Sequence, residues 1–307
     1  MRSLPWACAA LLLASCNSAS DPERRPIPSP GWGAGNGQIA RDVPDEGAPI
    51  GARSFVVGAD GRVHILDQVS ARVVRFEGSS AKGAVKLPAR PFEDLALLEG
   101  GGYALLDPFA SRAVVFVDAQ GSEQSKIELS PLGVEPGRVT ALDADESGVW
   151  VEVDGSYRVR IGDATGAVAP PQAEPGTARA GQWLYEATRS PGGPVTVARR
   201  PAAGGPKANL ASVALSSAPI DFRLLASQQA PELYLAVRFG VSTDVGGAES
   251  ITLVVLHAET GAELRRRELG GSSSVEESFR WVRLSPSGSL RWLTVDAKGV
   301  QVREVAP

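Results

Sequence analysis

The feature that most constrains this chain is an internal repeat. Residues 61–76 and 101–116 match at an offset of 40, with the pairs Gly61/Gly101, Asp67/Asp107, Arg72/Arg112 and Phe76/Phe116 coinciding and apolar residues between them. A third, weaker copy follows at an offset of 45, where Glu152, Tyr157, Val159 and Ile161 take the places of Asp107, Arg112, Val114 and Phe116. A chain built from such units stacks similar supersecondary pieces, each too small to bury an apolar face alone.

Every copy has the same internal order. An apolar run comes first (residues 54–57 or 95–98), then a Gly/Asp turn such as 58–61, then a second apolar run ending in an acidic residue. A short hairpin leads to a third, alternating run, and a more variable fourth returns at 84–87 or 125–129. Short strands with evenly spaced turn signals indicate a sandwich, a barrel or a propeller. Four strands in a repeat of about 40–45 residues select an all-β propeller over a two-sheet sandwich. Degenerate copies follow from Trp183, from Asp221 and from Phe279, so the body holds six four-stranded blades as a single domain over residues 38–307. The last copy supplies three strands, and the segment from Gln38 to Val43 is expected to add the fourth and close the ring, because an open ring would leave bare sheet edges.

The phrase from Pro49 through Asp60-Gly61, Asp67 and Arg72 to Phe76, repeated to residue 121, resembles the NHL-type propeller repeat. The resemblance covers about a quarter of the chain and bears on fold more than on activity, since one fold hosts many functions. Binding scaffolds and a few enzymes share it. A partner or ligand is expected on one face of the disc, at Arg72, Phe109, Arg112, Tyr157 and Phe239, although the recurring Asp67/Arg72 and Asp107/Arg112 pairs also suit a structural role, with Asp capping the turn and Arg pairing across the hairpin, and Phe109 and Phe239 also suit the core between blades.

Ahead of the body lies a different kind of sequence. Arg2 precedes a short apolar run, Leu4 to Leu13, that ends in Leu13-Ala14-Ser15-Cys16. The run is too short to cross a bilayer, which needs about 20 apolar residues, and has the layout of a signal peptide. Its end resembles the bacterial lipobox. That resemblance implies residues 1–15 as a lipoprotein signal peptide, diacylglycerol on the Cys16 sulfur, fatty acylation of the new amine, and attachment to a membrane of the cell envelope. The alternative is ordinary cleavage after residue 20, with Cys16 discarded. Asn17 in place of an Asp leans toward the outer membrane under the enteric sorting pattern. Residues 16–37, rich in Pro, Gly and Ser, read as a lipidated cysteine and a spacer. The only cysteines are Cys8 and Cys16, so the propeller region holds no disulfide.

Little in the body advertises chemistry. A formal net charge of −4 argues against a nucleic-acid binder, and the basic run Arg265-Arg266-Arg267 reads as a solvated strand edge. His64 and His257 have no ligand-type residue at a metal-site spacing, and no G-x-S-x-G turn nominates a nucleophile. The pairs Asp45-Glu46, Glu93-Asp94 and Glu276-Glu277 are adjacent residues, which point to opposite faces of a strand. Lactonase-type propellers use Asn among their central residues, and Asn209 alone lies within the propeller region. No cofactor is implied. The expectation is therefore a non-catalytic, membrane-anchored binding scaffold, with an envelope hydrolase or lyase of the lactonase or streptogramin-lyase kind as the alternative.

Overall fold

A computed structural model describes residues 28–241, 248–273 and 278–305. Cys16, the expected signal peptide, most of the expected spacer and the Glu276-Glu277 pair lie outside the described residues. The chain forms six antiparallel sheets, five of four strands and one of three. Blade 1 comprises β1 (Ala52–Val57), β2 (Val63–Asp67), β3 (Arg72–Glu77) and β4 (Ser80–Lys86). Blade 2 comprises β5 (Asp94–Leu97), β6 (Tyr103–Asp107), β7 (Ala113–Val117) and β8 (Glu123–Glu128). Blade 3 holds β9 (Val139–Asp145), β10 (Gly148–Val153), β11 (Tyr157–Gly162) and β12 (Val168–Pro175), and blade 4 holds β13 (Ala178–Ala180), β14 (Trp183–Arg189), β15 (Val195–Pro201) and β16 (Ala208–Val213). Blade 5 follows with β17 (Asp221–Ala226), β18 (Glu232–Val241), β19 (Ala248–His257) and β20 (Glu263–Gly270), and blade 6 with β21 (Val282–Leu284), β22 (Leu290–Asp296) and β23 (Gly299–Val305).

This is a six-bladed propeller, and within each sheet the strands pair in chain order. The middle strands are buried on both faces: β2, β6, β7 and β10 carry no exposed residue. They read as continuous apolar runs because blades pack on either side of them. The outer strands β4, β8 and β20 alternate or are mainly exposed. Arg265-Arg266-Arg267 lies on β20, an outermost strand.

The core sits between blades. Leu66, Val73 and Val85 of blade 1 pack with Leu95, Tyr103 and Val115 of blade 2. Leu106 and Phe116 pack with Leu142 and Val151 of blade 3, and Tyr185 and Val197 of blade 4 pack with Leu235 and Val254 of blade 5. Tyr234 and Val255 meet Trp281 and Trp292 of blade 6, and Phe55 and Ile65 meet Leu293 and Val302. Each such side chain contributes roughly 1.5–3 kcal/mol on burial. The two Trp indoles also satisfy their N–H groups, Trp281 on Asp221 Oδ2 at 2.7 Å and Trp292 on Gly270 O at 3.0 Å. Blades 3 and 4 meet through charge: Glu174 of β12 accepts from Arg158 at 2.9 Å and from Arg179 of β13 at 3.0 Å.

Two local expectations differ from the structure. The first strand of blade 4 is β13, three residues of Ala-Arg-Ala with no apolar run to announce it, and Trp183 opens the second strand. The segment from Gln38 to Val43 does not become the fourth strand of blade 6. Instead, residues 28–32 run beside β23: Val302 N–H donates to Pro28 O and Val300 N–H to Pro30 O, each at 2.9 Å, and Gly31 and Gly299 form an antiparallel bridge. The chain then turns through glycines, and the later segment is held as a clamp. Ile39 is buried in the blade 6/blade 1 core, and Ala40 N–H donates to Asp67 Oδ2 at 3.1 Å.

Gly299 permits this approach. A Cβ there would stand 2.1 Å from Pro30 O and 2.8 Å from Gly31 Cα. Gly299→Val is expected to detach residues 28–32 from β23 and to lower stability by about 1–3 kcal/mol. Hydrogen exchange at Val300 and Val302 should rise ahead of global unfolding; unchanged protection there would refute the role given to this contact.

Candidate functional site

The first strands of the blades surround the central channel, and charged residues at their ends decide its character. Repeat-equivalent positions meet here. Arg53 and Ser54 lie near the start of β1, and Glu93 and Asp94 stand just before and at the start of β5; they bond across the blades, with Arg53 Nε donating to Glu93 Oε2 and the Ser54 hydroxyl to Asp94 Oδ1. Glu93 and Asp94 thus go to different partners, as neighbours on a strand should.

Asp94 is wholly buried. Its Oδ1 also accepts from Leu95 N–H at 2.9 Å and from Arg283 Nη2 at 2.8 Å, while Oδ2 accepts from Leu142 N–H of β9 at 2.8 Å. One carboxylate therefore ties together blades 1, 2, 3 and 6. Arg283, on β21, reaches across the channel. Its Nη1 donates to Asp143 Oδ1 at 2.9 Å, and Arg280 Nη2 donates to both oxygens of Asp143 at 3.1 and 3.0 Å. This Asp94–Arg283–Asp143–Arg280 chain fills the channel with alternating charge. Burial works against ionisation of Asp143, but the guanidiniums of Arg280, Arg283 and Arg158 outweigh it and hold the carboxyl below its ordinary range. Burial also disfavours the charge on Arg283, and Arg280 beside it pulls the same way, so its affinity for a proton falls below that of a free guanidinium.

Above this plug lies a pit of about 560 Å³ on the face where the first strands end. Its walls include Val56, Leu97, Leu224 and Ala226, its polar groups Arg179, Ser227 and Ser285, and its floor Asp143 with Arg280 and Arg283. Asp143 keeps 35% of its side chain accessible from the pit. Nε and Nη1 of Arg280 are buried without a hydrogen-bond partner among the described residues. At the other end of the channel, Glu152 accepts from Thr140 Oγ1 and from Arg223 Nη1, both at 2.8 Å. Among the described residues, no group of three or more His, Cys, Asp or Glu is placed to hold a metal ion.

The residues expected to bind a partner lie elsewhere. Arg72, Phe109, Arg112 and Tyr157 sit at or beside the hairpins between second and third strands, on the face opposite the pit. Arg72 pairs with Asp67 at 2.8 Å and donates to Gln38 O at 2.9 Å and Ala34 O at 3.2 Å, so it fastens the N-terminal clamp. Arg112 does not pair with Asp107, which caps its own turn by accepting from Ala110 and Ser111 N–H. It adopts a left-handed backbone at φ 55° and pairs with Glu135 at 3.0 Å. Phe109 is 66% exposed at a hairpin tip. Tyr157 packs partly against the blade 2/blade 3 core. Phe239 is 5% exposed, which removes it as a contact residue; it belongs to the core between blades 4 and 5.

Of the two histidines, His257 is half-buried and accepts through Nδ1 from Glu259 and Thr260 N–H at 3.3 Å each, a turn cap. His64 is 6% exposed, and its Nδ1 lies 2.8 Å from the Tyr103 hydroxyl of blade 2. Burial pushes its pKa down to about 4 and pushes the Tyr103 phenol up to about 12.

No family model matches the chain, and no curated protein sequence matches it significantly. Solved structures do match. The calcium-binding protein regucalcin from Agrobacterium tumefaciens shows a TM-score of 0.48 at 11% identity, covering 91% of this chain and 95% of that one. A putative 6-phosphogluconolactonase from Bacteroides fragilis gives 0.46 at 14% identity over 94% and 97% of the two chains. Virginiamycin B lyase from Staphylococcus aureus gives 0.44 at 9% identity over 92% and 98%. No residue role is carried over from them.

Two outcomes follow from this geometry. Asp94→Ala removes one of the two carboxylates that hold the buried Arg283 and leaves Leu142 N–H without its acceptor, and is expected to cost about 3–5 kcal/mol in chemical denaturation; a loss below 1 kcal/mol would deny Asp94 its place as the tie between blades. The unfolded chain takes up a proton on His64 as pH falls below 6.5, whereas the folded chain resists until about 4. The stabilisation from neutral His64 is therefore complete above pH 6.5 and is lost on acidification through that window. The stability gap between wild type and His64→Gln should narrow by about 2–3 kcal/mol from pH 7 to pH 4; a constant gap would show that His64 is not the group responsible.

Proposed function

We propose that this chain is a lipid-anchored, extracytoplasmic binding propeller that takes its ligand or protein partner in the central pit and does no covalent chemistry on it. The observation that carries the reading is the commitment of the channel carboxylates. Asp94 spends its acceptor capacity on Ser54, Leu95, Leu142 and Arg283, and Asp143 is held ionised between Arg280 and Arg283. A general acid or base needs a pKa near the working pH and a free face toward substrate; Asp143 is pulled the wrong way. A ligand in the pit would meet apolar walls and a fixed dipolar floor, which suits recognition by shape and charge.

The anchor in this reading is Cys16, with the spacer delivering the body to an envelope membrane, the outer one favoured. Two or three acyl chains, at about 0.8 kcal/mol per buried CH₂, hold a protein firmly. The convergence of acidic groups around the channel favours one rival, an envelope hydrolase or lyase of the lactonase or streptogramin-lyase type.

The test has two arms. Cys16→Ala should abolish metabolic labelling with palmitate and release the body in soluble form; a variant that stays membrane-bound at high salt refutes the anchor. Full-length protein recovered from detergent-solubilised envelope should retain a bound partner that Ala226→Trp, which fills the pit, displaces and Phe109→Ser does not. The reverse pattern would move binding to the opposite face, and lactone turnover lost in Asp143→Asn would replace the binding reading with the rival.

A further inference from the structure

A second cavity, of about 550 Å³, opens between blades 1 and 2; its charged lining is Arg62, Arg75 and Lys82 with Asp60, and His64 of blade 1 and Ala119 of blade 2 line it as well. His64 and Arg75 are directly opposed on β2 and β3, so their side chains leave the same face of the sheet side by side. The register between β3 and β4 shifts between Val74 and Phe76 because β4 carries a bulge, with Lys82 and Gly83 together standing opposite Arg75. The strand beside it presents Gly83, in a left-handed conformation at φ 108°, and a Cβ there would come within 3.9 Å of Arg75 Nη2.

Arg75 differs from its cationic neighbours in having no partner. Arg62 pairs with Asp60 at 3.2 Å and Glu77 at 3.5 Å, and Lys82 pairs with Glu77 at 3.5 Å. Among the described residues, Arg75 makes no ion pair, and its Nε is buried without an acceptor. Three cations thus share two carboxylates, and the surplus charge falls on Arg75, whose guanidinium lines the cavity beside Gly83. Beneath it lies His64, kept neutral mainly by burial with a contribution from Arg75 itself. A guanidinium without an acceptor in a partly desolvated site is costly unless something supplies oxygen atoms.

We propose that this inter-blade cavity binds a tetrahedral oxyanion, a phosphate or sulfate group, on the fork of Arg75, with Lys82 and Arg62 closing on its remaining oxygens. A guanidinium fork and an ammonium approaching from different directions fit three or more acceptor oxygens better than the two of a carboxylate. The site is separate from the Arg280–Asp143 floor and does not depend on the binding reading given for the central pit, although the two cavities share Ala59 and Leu97 in their walls.

The measurement is a calorimetric titration of inorganic phosphate, and separately of sodium sulfate and sodium acetate, into the full-length chain in neutral detergent at low salt. Phosphate and sulfate should bind one site, and acetate at least tenfold more weakly. Arg75→Met should weaken phosphate binding by about tenfold or more, the loss of a charge-assisted fork. Ala119→Glu places a carboxylate in the cavity without removing a native contact and should block phosphate to the same degree. Arg266→Met, on the outermost strand β20 of blade 5, should leave it unchanged. Circular dichroism of each variant separates lost binding from lost fold. Competition by phosphatidylglycerol vesicles would assign the anion to a lipid headgroup, and its absence to a soluble phosphate; either agrees with the proposal. No phosphate or sulfate binding by the wild type, or equal binding by folded Arg75→Met and Ala119→Glu, would overturn it.

Discussion

The contact on which the rest of this structure depends is the buried pair of Asp94 and Arg283. A propeller can bring its first strands together around an axis only if the backbone and side-chain polar groups that crowd there are satisfied, because water cannot serve them fully. Asp94 answers that need for four blades at once, accepting from Ser54, Leu95, Leu142 and Arg283. Arg283 closes the circuit from the far side of the channel. A buried ion pair is weak evidence for net stability, since desolvation offsets much of the attraction, but removing one partner leaves a buried charge under-compensated. Its value here is geometric. Apolar packing between blades tolerates small rotations, whereas hydrogen bonds from three other blades to one carboxylate do not.

The same network sets what the channel can offer. Alternating charges in contact leave little field at a distance, and acids clamped by guanidiniums are poor proton carriers. The pit above inherits a floor of fixed dipoles within apolar walls. The inter-blade cavity between blades 1 and 2 has the opposite character, because its cations outnumber its anions and Arg75 stands unmatched. One face of the disc therefore carries two recesses with different electrostatics, one balanced and one positive.

How much of this the sequence disclosed follows from where the repeat is strong. The 40-residue offset joining residues 61–76 to 101–116 made the blade and its strand order legible, because middle strands buried on both faces must be apolar throughout. The same offset runs through Arg53-Ser54 and Glu93-Asp94, the pairs that bond across blades 1 and 2, so half of the central network was present in the repeat and went unread as a repeat feature. Arg283 and Asp143 had no such signal. They belong to degenerate copies, and their meeting is set by ring closure over 140 residues of chain. Phe239 stayed open between a contact and a core residue because an aromatic near the end of a long strand looks the same in sequence whether it faces a neighbouring blade or solvent. Arg72 was legible as a partner of Asp67 but not as a clamp on Ala34 and Gln38, since glycine-rich connections carry no pattern that predicts where they fold back.

The run of residues 28–32 beside β23 has a mechanical meaning. Pro28 and Pro30 lend only their carbonyls to that edge, because proline has no N–H to give. The seam between this run and β23 is therefore sparser than the ladders inside each blade: two carbonyls accept, and Trp32 N–H donates in return to Lys298 O. A pull applied at Pro28 would act on this rim first, with the blades behind it still intact.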